Sequence, residues 1–192
     1  MTDAFTYQGL PTRVVFGHGT LSEVAAEVER LGIRRALLLS TANQRADAER
    51  VRDLLGSRAA AIFDAAAMHT PVEVTAAAMA VGTRERIDGT VAIGGGSTTG
   101  LGKAIAFRTD CPQLVIPTTY AGSEMTPILG ETEGGVKTTR RDIKILPETV
   151  LYDVDLTLSL PPGLTVTSGF NAIAHAVEAL YARDGNPIVS LM

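Results

Sequence analysis

Val91–Lys103 reads VAIGGGSTTGLGK, and its order of strand, glycines, hydroxyl residues and helix decides how the rest of the chain is read. Two phosphate-binding motifs come close and fail. A P-loop needs Gly, four residues, then Gly-Lys-Ser/Thr. Counting back from Gly102-Lys103 reaches Ser97, and Ala104 follows the lysine where a hydroxyl is required. The dinucleotide fingerprint G-x-G-x-x-G starts well at Gly94 and Gly96 and then meets Thr99. The physics of both motifs is kept. Consecutive glycines let a ligand approach the backbone and permit positive φ. A helix starting at Ser97 offers unpaired N–H groups and partial positive charge to an anion.

The flanking segments say what kind of sheet carries this loop. Arg13–Phe16, Arg35–Ser40, Ala60–Phe63, Thr90–Ile93 and Gln113–Ile116 read as strands. Several are almost wholly apolar, as strands covered on both faces are. Between them, Leu21–Leu31, Ala46–Leu55, Pro71–Arg86 and Thr98–Phe107 carry helical periodicity or composition. Strict alternation of this kind predicts a doubly wound parallel α/β sheet with right-handed crossovers. The rhythm changes after Pro117. An irregular hairpin is expected around Gly134-Gly135, with short strands at Ile143–Leu146 and Val150–Tyr152. Pro161-Pro162 then precedes a long helix from Leu164 to Ala182, and Asn186-Pro187 opens another that runs to Met192. The expected division is 1–158 for the α/β domain and 159–192 for the start of a helical one.

In such sheets ligands bind outside the carboxyl ends of the strands. Three strand ends converge there: Gly94–Ser97, Ser40-Thr41 and Thr118–Tyr120. Together they have the makings of a site for a pyrophosphate, an adenosine half and a reacting ring; the alternative is a tight turn with no ligand. On the long helix Asn171 and His175 stand four apart and share a face, with Glu178 three further on. A histidine among small apolar residues is either a core or interface group or a ligand. His18 and His69 fall in loop contexts and read as turn residues without partners.

Composition bounds the function. The 192 residues are 45% hydrophobic and 20% charged, with a net charge of −4. Mild acidity without a dense basic stripe argues against nucleic acid. No apolar run reaches the ~18 residues of a membrane span, and a cytoplasmic protein is the default expectation. The single cysteine, Cys111, excludes an internal disulfide framework and reads as a packed thiol. Lys137, Arg140, Arg141 and Lys144 form a basic cluster whose plain reading is a solvated face.

Three separated stretches, GGGSTTGLGKAIA, IPTTYAGSEMTPI and SGFNAIAHAVEALYA, resemble the maleylacetate reductase branch of the iron-containing (group III) alcohol dehydrogenases. The resemblance runs from about Leu10 to Met192, in the family's order and with matching intervals. It implies a Rossmann-like domain followed by the first helix or two of an all-helical C-terminal domain, in proteins about twice this length that form homodimers. It implies NADH or NADPH held by Gly94, Gly95, Gly96 and Ser97, with Thr118, Thr119, Ser40 and Lys137 also on the cofactor side. An acidic residue in place of Ser40 would hold the ribose hydroxyls and reject a 2′-phosphate, so the serine leaves either cofactor open. The implied reaction is reduction of maleylacetate to 3-oxoadipate in the degradation of aromatic compounds. His175 would serve as proton donor or enolate partner, Asn171 would orient the dicarboxylate substrate, and Tyr120 and Ser123 would touch it. Lys137, and more weakly Arg140, are cations for its carboxylates.

The wider superfamily has Asp where this chain has Gly100, and Asp again, as a metal ligand, where it has Asn171. A neutral amide oxygen is a weak ligand for a divalent ion, which argues against a tightly bound metal. Two other readings stay open: a metal-dependent alcohol or glycerol dehydrogenase, and a non-catalytic nucleotide-binding fragment. The helical start at 159–192 cannot bury its own apolar face. Either a partner covers that face or the chain is a truncated form, and the second is the expectation, with NADH bound weakly and little turnover.

Overall fold

The computed structural model describes residues 4–183 and 185–191; residues 1–3, 184 and 192, the last of them closing the expected final helix, lie outside it. Strands β1 (Arg13–Gly17), β2 (Ala36–Leu39), β3 (Ala59–Phe63), β4 (Gly89–Gly94), β5 (Gln113–Pro117) and β8 (Thr149–Asp153) form one sheet in the order β1-β8-β5-β4-β2-β3. Every pairing in it is parallel. Helices α1 (Val24–Arg30), α2 (Arg45–Leu55), α3 (Val72–Glu85) and α4 (Gly96–Thr109) are the crossovers. Strands β6 (Ile128–Glu133) and β7 (Val136–Arg141) form a separate antiparallel hairpin.

The apolar strand runs have the cause expected of them. Leu38, Val91, Ile93, Leu114 and Ile116 face α1 and α2, where Val24, Val28, Ala48, Val51 and Leu55 meet them. Leu37, Leu39, Ala92 and Val115 face the other way, onto Ala78 of α3 and Leu101 and Ile105 of α4. Each fully buried Leu or Ile contributes about 1.5–3 kcal/mol of transfer free energy. Side-chain alternation along a strand therefore divides between two cores rather than between core and solvent.

Helix α4 is buried on more sides than its neighbours. Residues 98 to 106 are all buried. The hairpin and the turn at Ile143–Ile145 cover its outer side through Leu129 and Ile145 against Ala104. Its many Gly and Ala residues suit this close packing: a Cβ on Gly102 would lie in ordinary contact with that of Ala92, at 3.6 Å.

The second half departs from expectation in two places. The hairpin is regular, with six paired positions and Gly134 and Gly135 both at positive φ, 55° and 81°, as a two-residue type I′ turn requires. Ile143–Leu146 is not a strand. Ile143–Ile145 is a 3-10 turn whose entry is fixed by the Asp142 side chain, which accepts from the Lys144 N–H at 3.0 Å. Strand β8 returns to the middle of the sheet, between β5 and β1. Helix α5 (Pro162–Tyr181) follows, then the short α6 (Pro187–Leu191). None of the described residues of α5 or α6 is buried.

Candidate active site

The strand order reverses between β2 and β4. The chain leaves β2 for α2 on one face and β4 for α4 on the other, and the carboxyl ends of two adjacent strands diverge into a crevice. That is where doubly wound sheets bind ligands. One lip is Thr41–Gln44 and the other is Gly94–Ser97. The cleft has a volume of about 470 Å³ and is lined by Thr41, Asn43, Gln44, Asp47, Gly95, Gly96, Ser97, Thr118 and Thr119, and by Leu156–Leu164 residues on its far wall.

The lips are tied together at their base. Thr118 N–H donates to the Gly94 carbonyl at 3.0 Å. Gln44 Nε2 donates to Thr118 Oγ1 at 2.6 Å, and Thr41 Oγ1 donates to Gln44 Oε1 at 3.2 Å. Gln44 thus sets the width of the crevice, a role its sequence context does not reveal.

The glycines divide into two kinds. Gly94 has φ +148°, and a Cβ there would stand 2.5 Å from both Gln44 Oε1 and Thr98 Oγ1. A Cβ on Gly95 would meet Thr119 at 3.0 Å. Gly94 and Gly95 are glycines because the protein itself crowds them. Gly96 faces open space, its nearest neighbour being Ala121 Cβ at 3.9 Å, so there the empty side belongs to the cleft. Helix α4 begins at Gly96, with Gly95 as its N-cap and no side chain capping it. Ser97 is therefore a first-turn residue rather than the cap. Thr98 N–H and Thr99 N–H both donate to the Gly95 carbonyl at 3.1 Å, which leaves the Gly96 and Ser97 N–H groups without an acceptor inside the helix, and Thr98 Oγ1 is buried without a hydrogen-bond partner. Uncapped donors on a 14-residue helix, open backbone at Gly96 and an elongated crevice suit the pyrophosphate of a dinucleotide.

A second cavity of about 310 Å³ lies on the other side of Gly96 and Ser97, between α4 and the hairpin. His69, Thr70, Gly100, Lys103, Ser123 and Lys137 line it, with no carboxylate among its lining residues. His69 and Thr70 both hold left-handed backbone, φ 64° and 46°, a strained state for non-glycine residues. The hairpin holds them there, since Thr132 N–H donates to the Thr70 carbonyl. Thr70 also accounts for Gly100: any Cβ at Gly100 would collide with Thr70 Oγ1.

Lys103 is the residue sequence reading missed most completely. Read as an ordinary helix position, it is fully buried. Burial pulls its pKa down to about 8, and the nearby Glu124 carboxylate opposes that shift. Next to this cavity, Tyr120 borders a third cleft with Thr119, Glu124 and Tyr152. There Tyr152 donates to Glu124 Oε1 at 2.8 Å.

Of the residues singled out from sequence, the structure gathers Gly95, Gly96, Ser97, Thr118 and Thr119 in the main cleft, with Gly94 beneath them. Lys137 lines the second cavity and Tyr120 the third. Ser40 is not at the surface of any of these: it is fully buried with its hydroxyl unpartnered, and Thr41 is the residue that reaches the cleft. Asn171 and His175 lie on the exposed face of α5. His175 Nδ1 contacts Glu178 Oε2 at 3.2 Å. Leu164, on the first turn of α5, lines the cleft; Asn171 stands about 10 Å further along the helix axis.

Two smaller expectations need correction. His18 has a partner, Asp155 Oδ1, at 2.9 Å. The basic cluster is not simply solvated, because Arg140 lies over the Phe107 ring and near buried Glu131, which Arg108 also pairs at 2.7 Å. Lys144 pairs with Asp110 at 3.2 Å. Cys111 is half-buried, and burial pushes its thiol up, away from nucleophilic use.

The iron that this kind of fold calls to mind does not fit the donors present. Among the described residues no three His, Cys, Asp or Glu side chains cluster as a metal site, and Asn171 and His175 alone offer one amide oxygen and one imidazole.

Comparison with known proteins agrees with this geometry. Residues 11–154 match the family described as iron-containing alcohol dehydrogenase. Maleylacetate reductase of Rhizobium sp. (strain MTP-10005) is 62% identical over 188 residues, which are 98% of this chain and 54% of that protein. The crystal structure of maleylacetate reductase from Agrobacterium tumefaciens superposes with a TM-score of 0.96 at 59% identity, covering 98% of this chain and 54% of the other. Sulfoacetaldehyde reductase from Bifidobacterium kashiwanohense, solved in complex with NAD+, shares the fold at 23% identity, with a TM-score of 0.90 over 97% of this chain and 56% of its own. The chain spans about half the length of the curated relatives it matches. With the match covering most of its length, this chain belongs to the iron-containing alcohol dehydrogenase family.

Proposed function

We propose that this chain is the cofactor-binding half of a maleylacetate reductase, which reduces maleylacetate to 3-oxoadipate with NADH or NADPH in the breakdown of aromatic compounds. The observation that carries the reading is the crevice at Gly94–Ser97, in a chain 62% identical to a protein of that activity. The cofactor, when bound, supplies a hydride. The α4 N-terminus and open Gly96 hold its pyrophosphate, Thr41, Asn43 and Gln44 face the adenosine half, and Thr118 and Thr119 close the opposite wall. Adding hydride to the alkene carbon farther from the ketone leaves an enolate, and the carbon next to the ketone must then gain a proton. His175 is the proton donor of this reading. Its Nδ1 lies 3.2 Å from Glu178 Oε2, which leaves Nε2 as the atom to serve the substrate. Asn171, one turn away, orients the substrate by hydrogen bonds.

The remaining parts of the reading have their own supports. Residues 159–192 begin a second, helical domain, since α5 exposes Leu164, Val166, Phe170, Ile173 and Val177. A homodimer suits the free edge of β1, where Val14 and Phe16 are exposed. A cytoplasmic setting suits an enzyme of aromatic breakdown, and among the described residues no helix is long and apolar enough to cross a membrane. Titration of the chain with NADH, followed by cofactor fluorescence, tests the cofactor part. Saturable binding that Gly96→Val abolishes supports it; no binding by the folded chain contradicts it.

A further inference from the structure

Between β5 and β6 the chain runs from Thr118 to Pro127 and carries Thr118, Thr119, Tyr120 and Ser123, residues that line all three cavities. Its first residue is tied to Gly94 and Gln44. Beyond that the backbone bonds are local turns, Met125 N–H to Gly122 and Thr126 N–H to Ser123, until the end of the segment, where the Pro127 carbonyl accepts from Asp142 N–H at 3.1 Å. What fixes the middle of the segment to α4 is one side chain of that helix. Lys103 Nζ donates to the Ser123 carbonyl, to the Ile128 carbonyl at 3.0 Å, to Thr126 Oγ1 at 3.2 Å and to Ser123 Oγ at 3.3 Å. Four oxygens, three from this segment and one from the first residue of β6, surround three N–H donors. On the other side Tyr152 of β8 holds Glu124, the residue next to Ser123.

Lys103 stands seven residues after Gly96, two helical turns along the same face. The group that grips the loop and the backbone that meets the ligand therefore share one rigid element. Such a lysine is unfavourable for stability by itself. Desolvating an ammonium is expensive, and replacing buried charge with well-packed apolar groups is often neutral or stabilising. Its presence calls for a role other than holding the domain together.

We propose that Lys103 is a positioning residue: its ammonium fixes the Thr118–Pro127 loop against α4, so that the two walls of the cofactor cleft keep one spacing. The proposal rests on the reading of that cleft as a dinucleotide site for its binding consequence, but not for its structural one.

Lys103→Met, unbranched, uncharged and of similar length, separates the two. The denaturation midpoint should stay unchanged or rise. Amide hydrogen exchange at residues 119–126 should speed up by roughly tenfold or more, given the strength of charge-assisted bonds, while the strand amides keep their protection. The NADH dissociation constant should rise by a similar factor. A merely structural lysine would instead lose stability and protection throughout the domain, and that result overturns the proposal. Unchanged exchange at 119–126 overturns it as well. Thr126→Val removes one of the four oxygens without touching the charge and should give a smaller change confined to the same amides. If Lys103→Met does not fold, unchanged exchange in Thr126→Val is the overturning result. If the unaltered chain binds no NADH, the cofactor reading fails while the exchange measurements still decide the role of Lys103.

Discussion

Thr70 fills the space that any side chain at Gly100 would need, its Oγ1 lying inside contact distance of the Cβ that glycine lacks. Thr70 comes from the loop before α3 and Gly100 from helix α4, brought together because the hairpin holds Thr70 in left-handed backbone. Gly100→Ala should therefore destabilise the chain by about 1–3 kcal/mol, the usual range for overpacking. Thr70→Gly in the same chain should recover much of that loss. Urea denaturation of the two single variants and the double variant gives the coupling directly. Additive effects would mean that the two sites do not share this space.

Gly94 and Gly96 should respond in opposite ways to the same change. Gly94→Ala puts a methyl against Gln44 and Thr98 at a φ of +148°, and the fold should lose stability. Gly96→Ala meets nothing closer than 3.9 Å and removes a helical glycine, which costs about 0.8–1.0 kcal/mol relative to alanine. That variant should be as stable as the parent or more so, yet bind NADH roughly tenfold or more weakly, since its methyl enters the space of the pyrophosphate. Thermal melts paired with NADH titration check both halves.

Glu27 is a source of acid sensitivity. Arg13 of β1 and Arg30 of α1 both bind it, and the Arg13 hydrogen bond chiefly holds its carboxyl below the usual range, against the effect of burial. A depressed carboxylate stabilises the fold above its unfolded value of 4.5 and loses that contribution as pH falls through the lower folded value. Glu27→Gln should cost about 1–3 kcal/mol at neutral pH. The difference from the parent should shrink below pH 4.5.

Lys103 acts at the other end of the pH scale. Its folded pKa, about 8, lies below its unfolded value of 10.5. Between those values the unfolded chain binds more protons, so stability contributed by this group rises with pH. Subtracting the profile of Lys103→Met from that of the parent should leave a rise across that window. A flat difference would show that the ammonium is not desolvated in the folded state.

Much of the fold was legible in the sequence because its signals are local. Leu37, Leu38 and Leu39 in a row imply a strand covered on both faces, and the glycines after Ile93 imply a turn into a helix. The glycine lip of the cleft followed from those same residues. What was not legible depends on contacts between distant segments. Lys103 looks like any helical lysine until the hairpin is laid over α4, and Ser40 looks like Thr41 until one of them turns inward. His18 and Asp155 meet across 137 residues, which no local pattern reports. The turn at Ile143–Ile145 has the composition of a strand, and the Asp142 side chain decides otherwise.

The role proposed for this chain is that of the cofactor-binding half of a maleylacetate reductase. A chimera tests it most directly: this chain in place of the matching half of the Rhizobium enzyme, to which it is 62% identical, assayed for NADH oxidation with maleylacetate. The account predicts reduction of maleylacetate to 3-oxoadipate within about tenfold of the parent kcat/KM, a difference of about 1.4 kcal/mol, and loss of that activity with Gly96→Val. A folded chimera that binds NADH yet leaves maleylacetate unreduced would contradict it.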